Sequence, residues 1–149
     1  MVVTSPPLNQ QKWGTLSFVS TLYLHPVLDI LVAEVPGTWQ AEVRLGLQEA
    51  LVNAAKHGNC LDPCKQVSVK YATKGSHFWW VIADQGQGFS HPCRCDDFTY
   101  EEDKPHVSDC GRGLYILYQI FDHVDWCNDG RELHLNKRIA PARRLPLIG

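Results

Sequence analysis

The sequence has no excess of either charge: 14 Lys and Arg against 16 Asp and Glu leave a net charge of -2, so no global positive field gathers nucleic acid or anionic lipid. No apolar run approaches the ~18 residues a membrane helix needs. The opening residues, MVVTSPPLNQQKW, carry neither the basic region nor the apolar stretch of a secretory leader. A soluble, cytoplasmic chain with no direct nucleic-acid or membrane partner is the expectation. Cysteine is sparse for a disulfide scaffold, six in 149 residues, and free thiols are expected. The spacing of Cys60 with Cys64 and of Cys93 with Cys95 leaves a four-ligand zinc site as an alternative. Cys110 and Cys127 read as small buried hydrophobes. What is present is ordinary: 44% hydrophobic and 20% charged residues, over a length that suits one domain of roughly 100–200 residues.

The chain divides into a lead over residues 1–12, a folded domain over 13–137 and a tail over 138–149. The lead holds Pro6-Pro7, and the tail has two prolines and basic residues. β-formers over 15–24 predict a strand that Pro26 ends, and 27–35 predicts a short helix broken by Pro36-Gly37. Val43, Leu47, Ala50, Leu51 and Ala54 recur at helical spacing, predicting a helix over 38–57 with Thr38 as N-cap and Gly58 as its stop. Residues 66–73 and 77–83 form a hairpin around Lys74-Gly75. The continuous run Phe78-Trp79-Trp80-Val81-Ile82 predicts a central strand covered on both faces.

Periodicity then disappears. Residues 94–109 hold two basic against six acidic side chains, and a loop of that length in a compact domain is usually functional. A second helix is expected from Gly111, with Leu114, Leu117, Tyr118 and Phe121 inward. Strands over 123–127 and 132–136 flank a turn at Asn128-Asp129-Gly130.

Three short motifs stand where these elements begin or end. Glu49-Ala-Leu-Val-Asn53-Ala-Ala-Lys56-His57-Gly58 puts a carboxylate, a carboxamide and a cation on one helical face. A carboxylate one turn before an Asn can orient or deprotonate a hydroxyl while the amide oxygen coordinates Mg²⁺. His57 reads instead as a helix C-terminal residue complementing the dipole, outside catalysis. Asp84-Gln-Gly86-Gln-Gly88-Phe89 follows the apolar strand: Asp84 is an acceptor that can read an amino group such as adenine's, or can cap its own turn, and Gly86 and Gly88 let backbone approach a ligand. Gly111-Arg112-Gly113-Leu114 opens the next helix, where free N–H groups favour phosphate and Arg112 can neutralise it. Other phosphate chemistries are excluded, since the chain has no GxxxxGK[ST], no dinucleotide fingerprint and no HRD or DFG of protein kinases.

In this order, EALVNAAKHG, DQGQGF and GRGL resemble the N, G1 and G2 boxes of the GHKL ATPase superfamily, whose nucleotide site is the Bergerat fold. The resemblance covers about residues 39–137 and is nearest to the bacterial anti-sigma factor serine/threonine kinases. It implies an α+β two-layer sandwich, a mixed and mostly antiparallel sheet with helices on one face. It also implies ATP or ADP with Mg²⁺, a sigma factor and an anti-anti-sigma (STAS-type) protein as partners, and room for a homodimer. Carried over residue by residue, Glu49 is the catalytic base, Asn53 the Mg²⁺ ligand and Asp84 the adenine reader. Gly86 and Gly88 are the G1 glycines, and Gly111, Arg112, Gly113 and Leu114 the G2 segment near the phosphates. Residues 89–110 are the ATP lid, and Lys56 resembles a triphosphate-contacting lysine. The chain departs from the family at Gly130-Arg131, where a Thr often follows the Gly, and in a lid rich in Cys and acid. A nucleotide-gated binding module without catalysis, and a histidine-kinase-type catalytic domain, are the alternatives.

Overall fold

The computed structural model describes residues 12–88 and 109–140. Five strands and three α-helices follow one another as β1 (Gly14–Val19), α1 (His25–Leu31), α2 (Gly37–Val52), β2 (Gln66–Lys74), β3 (His77–Ala83), α3 (Asp109–Ile120), β4 (His123–Cys127) and β5 (Glu132–Arg138). A turn of π-helix, Asn53–Gly58, extends α2. The strands form one sheet in the order β1-β2-β3-β5-β4. Every pairing is antiparallel, so the mixed sheet expected from the sequence has no parallel member among the described residues. Helices on one sheet face make the expected α+β sandwich.

The core is one face of that sheet. Val67, Val69, Phe78, Trp80, Ile82, Leu133 and Leu135 are buried against Leu28, Leu31, Val43, Leu47, Leu51, Leu117 and Phe121 of the helical layer. β3 lies in the middle of the sheet, yet its burial alternates: Phe78, Trp80 and Ile82 are buried while Trp79 and Val81 are half-buried. The two-sided cover predicted for β3 is therefore corrected, because the described helices all belong to one layer. Trp80 also donates its indole N–H to the carbonyl of Leu31 at 3.2 Å, tying β3 to α1.

Several boundaries move for local reasons. β1 stops at Val19 rather than running to residue 24, because Ser20 turns the chain by giving both its N–H and its hydroxyl to the carbonyl of Lys65, at 3.2 and 2.8 Å. Thr38 is not the N-cap of α2: the helix starts at Gly37 after Pro36, with no side-chain cap. Tyr118 is exposed, and Ile120 takes its place among the inward residues of α3. The last carbonyl of α3, on Ile120, accepts from the buried Lys137 ammonium at 2.7 Å. That ammonium also lies 4.6 Å from the centre of the Trp39 ring, so one cation closes α3 and pins the start of α2. The hairpins at Lys74-Gly75 and at 128–130 form as expected. Asn128, Asp129 and Gly130 all take positive φ, which Asn, Asp and Gly tolerate best. The fold continues past residue 137, for Ile139 is buried and donates its N–H to Ser76 at 2.7 Å.

Candidate functional site

The helix predicted over 38–57 carries the first motif, but it does not end as a plain α-helix. From Asn53 the ladder widens: the N–H of Asn59 reaches the carbonyl of Ala54, five residues back, at 2.9 Å. π-turns of this kind interrupt α-helices frequently at functional sites. Asn59 holds the turn in place. It is fully buried, and its amide gives two hydrogen bonds, to Ser20 Oγ and the Gln66 carbonyl, both at 2.9 Å. Its Oδ1 accepts from the Gln85 N–H at 2.7 Å. One side chain thus joins the ends of β1, the π-turn, β2 and β3. In the sequence Asn59 gives no signal beyond being a polar residue directly after the helix-ending glycine.

Around that joint the first two motifs meet. A Cβ on Gly58 would run into the carboxyl carbon and Oδ2 of Asp84, and one on Gly86 into the Gly58 carbonyl. The absence of side chains at both glycines is what lets the Asp84 loop settle against the π-turn. Asp84 is half-buried. Its Oδ1 accepts from the Gly86 N–H at 2.8 Å, so the residue does cap its own turn. Among the described residues Oδ2 takes no hydrogen bond. Burial pushes the pKa of this carboxyl above its ordinary 3.8, outweighing the Gly86 N–H and the nearby cations of Arg131 and Lys65. The next glycine, Gly88, has φ +75° and abuts the Asp129 carbonyl.

The third motif packs against the first. With α3 starting at Asp109, Gly111 is its third residue, its N–H in the unpaired first turn, and Gly113 is the fifth. Gly113 therefore acts through what it lacks: a Cβ there would lie 3.2 Å from Glu49 Oε2 and 3.3 Å from Asn53 Nδ2. Glu49 and Asn53 are both half-buried, and neither side chain has a hydrogen bond among the described residues. Leu114 is buried in the core behind them. Lys56 is exposed on the π-turn. The structure thus brings together Glu49, Asn53 and Gly113, and separately Gly58, Asp84, Gly86 and Gly88. The Arg112 side chain and the lid residues 89–108 lie outside the described residues.

This donor set suits a nucleotide and its metal. An uncommitted amide oxygen and an uncommitted carboxylate are hard ligands of the kind Mg²⁺ takes. A half-buried carboxylate with one free oxygen is acceptor-only and matches an amino group. Of the four cysteines in the zinc alternative, Cys60 and Cys64 are exposed free thiols, and Cys93 and Cys95 lie outside the described residues. Cys127 is exposed rather than a buried hydrophobe. Among the described residues no helix is long and apolar enough to cross a membrane.

Comparison with known proteins agrees with this fold. The profile of the histidine kinase-like ATPase domain matches residues 26–137. The chain is 27% identical over 86 residues to the serine-protein kinase RsbW of Bacillus licheniformis, covering 56% of this chain and 54% of that one. It is 26% identical over 86 residues to the serine-protein kinase RsbW of Bacillus velezensis, with the same shares covered. The matched part therefore spans about half the length of these curated relatives.

Proposed function

The chain belongs to the histidine kinase-like ATPase domain family, and from that premise we propose that it is an ATP-dependent serine/threonine protein kinase of the cytoplasm. In this reading it is an anti-sigma regulatory factor that holds a sigma factor and phosphorylates an anti-anti-sigma partner of the STAS type. The observation that carries the reading is the convergence of the Glu49 carboxylate and the Asn53 amide on Gly113. A base and a metal ligand there face the helix that follows the lid. The serine-protein kinases among its relatives support the choice of hydroxyl acceptor.

Phosphoryl transfer asks a protein mainly to position its substrates and to stabilise charge. Asp84 Oδ2 accepts from the adenine amino group, and Gly86 and Gly88 keep the wall of the base site free of side chains. Asn53 Oδ1 would hold Mg²⁺, which when bound supplies neutralisation of the phosphate oxygens. The first-turn N–H of Gly111, with Lys56 and Arg112, offers donors to the phosphates. Glu49 accepts the proton of the substrate hydroxyl as its oxygen bonds to the γ-phosphorus, while the bond from that phosphorus to the bridging oxygen breaks and ADP leaves.

The test is a transfer assay with γ-labelled ATP and partners recovered by pull-down from the source cell, on wild type and Glu49→Ala. Labelling of a serine or threonine by wild type, reduced about 10²–10⁴-fold in the variant, is expected. Nucleotide-dependent capture of a partner with no labelling would instead favour nucleotide-gated sequestration.

A further inference from the structure

The base-reading end of the site contains a cation that the reading above leaves without a role. Arg131 stands opposite Asp84 across the pairing of β3 with β5: the Asp84 N–H donates to the Arg131 carbonyl at 2.9 Å, one step beyond the Ala83–Glu132 pair. The two residues line one cavity of about 280 Å³, together with Gly86 and Asn128. The Arg131 stem runs along the G1 loop, its Cγ 3.4 Å from where a Cβ on Gly88 would stand. Its Nε donates to the Asn128 carbonyl at 3.1 Å, and one Nη is 3.7 Å from Asp129. A guanidinium has five N–H donors. One is committed to Asn128 and the ion pair to Asp129 is long, so donors remain for the cavity that Arg131 and Asp84 both line.

A carboxylate by itself only accepts, and so selects a base edge that donates. A guanidinium beside it adds donors in a planar fork, whose commonest specific match in nucleic-acid recognition is the O6 and N7 pair of guanine. Guanine offers donors for Asp84 as well, at N1 and its 2-amino group. Adenine satisfies the same pair with its 6-amino group and N7. We propose that Arg131 is a specificity-determining residue that works with Asp84 as a donor–acceptor pair, so that the site accepts guanine nucleotides alongside adenine nucleotides. The inference rests on the nucleotide-binding reading above.

It is tested by titrating ATP–Mg²⁺ and GTP–Mg²⁺ into wild type, Arg131→Met and Arg131→Lys, with melting curves to show that each is folded. Wild type should bind GTP within about tenfold of ATP, and Arg131→Met, which keeps the stem and loses the donors, should weaken GTP about 5–150-fold and ATP by less. Arg131→Lys, which retains a donor, should recover part of the GTP affinity. An unchanged ratio of GTP to ATP affinity in folded Arg131→Met, or ATP binding to wild type without GTP binding, overturns the role of Arg131 and leaves the ATP reading standing. Failure of both nucleotides to bind folded wild type overturns the nucleotide reading and this inference with it.

Discussion

Gly58, the last residue of the π-turn, lies directly beneath the Asp84 carboxylate, leaving no room for a Cβ between them. Gly58→Ala must push the Asp84 loop away from the turn. Overpacking of this kind costs about 1–3 kcal/mol, measurable by urea denaturation. Because the obstruction is the carboxylate itself, Gly58→Ala combined with Asp84→Ala should recover most of that loss. A double-mutant cycle with no coupling would place the strain elsewhere.

Asp84 carries a stability cost in its ionised form, since burial raises its folded pKa above 3.8. For a group shifted upward, the stabilising contribution belongs to the protonated form. It is fully present below the unfolded value and lost as pH rises through the folded one. Asp84→Asn should therefore melt at the same temperature as wild type or higher near pH 7, with the difference shrinking as pH falls into the carboxylate range. Melts across about pH 4 to 8 check this; a variant clearly less stable at neutral pH would contradict it.

The fully buried Asn59 amide serves Ser20, Gln66 and Gln85 at once. Asn59→Leu removes one hydrogen-bond partner from each of these groups, at about 1–3 kcal/mol for each one that stays unsatisfied. A total loss near 3 kcal/mol by denaturation is expected, with weakened nucleotide binding because Gln85 sits between Asp84 and Gly86. A loss below about 1 kcal/mol would show the joint to be dispensable.

Gly113→Ala separates stability from chemistry. Alanine is favoured over glycine inside a helix by about 1 kcal/mol, while the new methyl would crowd Glu49 and Asn53 at 3.2 and 3.3 Å. Stability should stay level or rise while transfer falls by at least about tenfold. A more active variant would remove Gly113 from the site.

The elements that carry the motifs were legible in the sequence because each has a strong local signal. Val43, Leu47, Ala50 and Leu51 repeat on one helical face, and both hairpins have glycine-bearing turns at Gly75 and Gly130. What was not legible depends on distant partners. Ser20 ends β1 by bonding to Lys65, and nothing near Ser20 announces Lys65. The π-turn comes from Asn59 reaching three other segments, whereas helical periodicity through Ala54 and Lys56 reads as unbroken α-helix. The run from Phe78 to Ile82 looks the same whether one face of the strand is covered or two. Motif order brought Glu49, Asp84 and Gly113 into one candidate site, but it could not tell that a Cβ at Gly113 would crowd Glu49 and Asn53.

The central claim is that the Asp84 end of this site binds the base of ATP, and calorimetric titration of ATP–Mg²⁺ into wild type and Asp84→Asn tests it most directly. In the variant the amide oxygen would keep the Gly86 N–H, turning the amide nitrogen, a donor, toward the donor of the base. A charge-assisted hydrogen bond is worth about 1.5–3 kcal/mol. Binding to wild type and a drop of about 10–150-fold in a fully folded variant are expected. Folded wild type that binds no ATP, or a variant that binds it as tightly as wild type, would contradict the account.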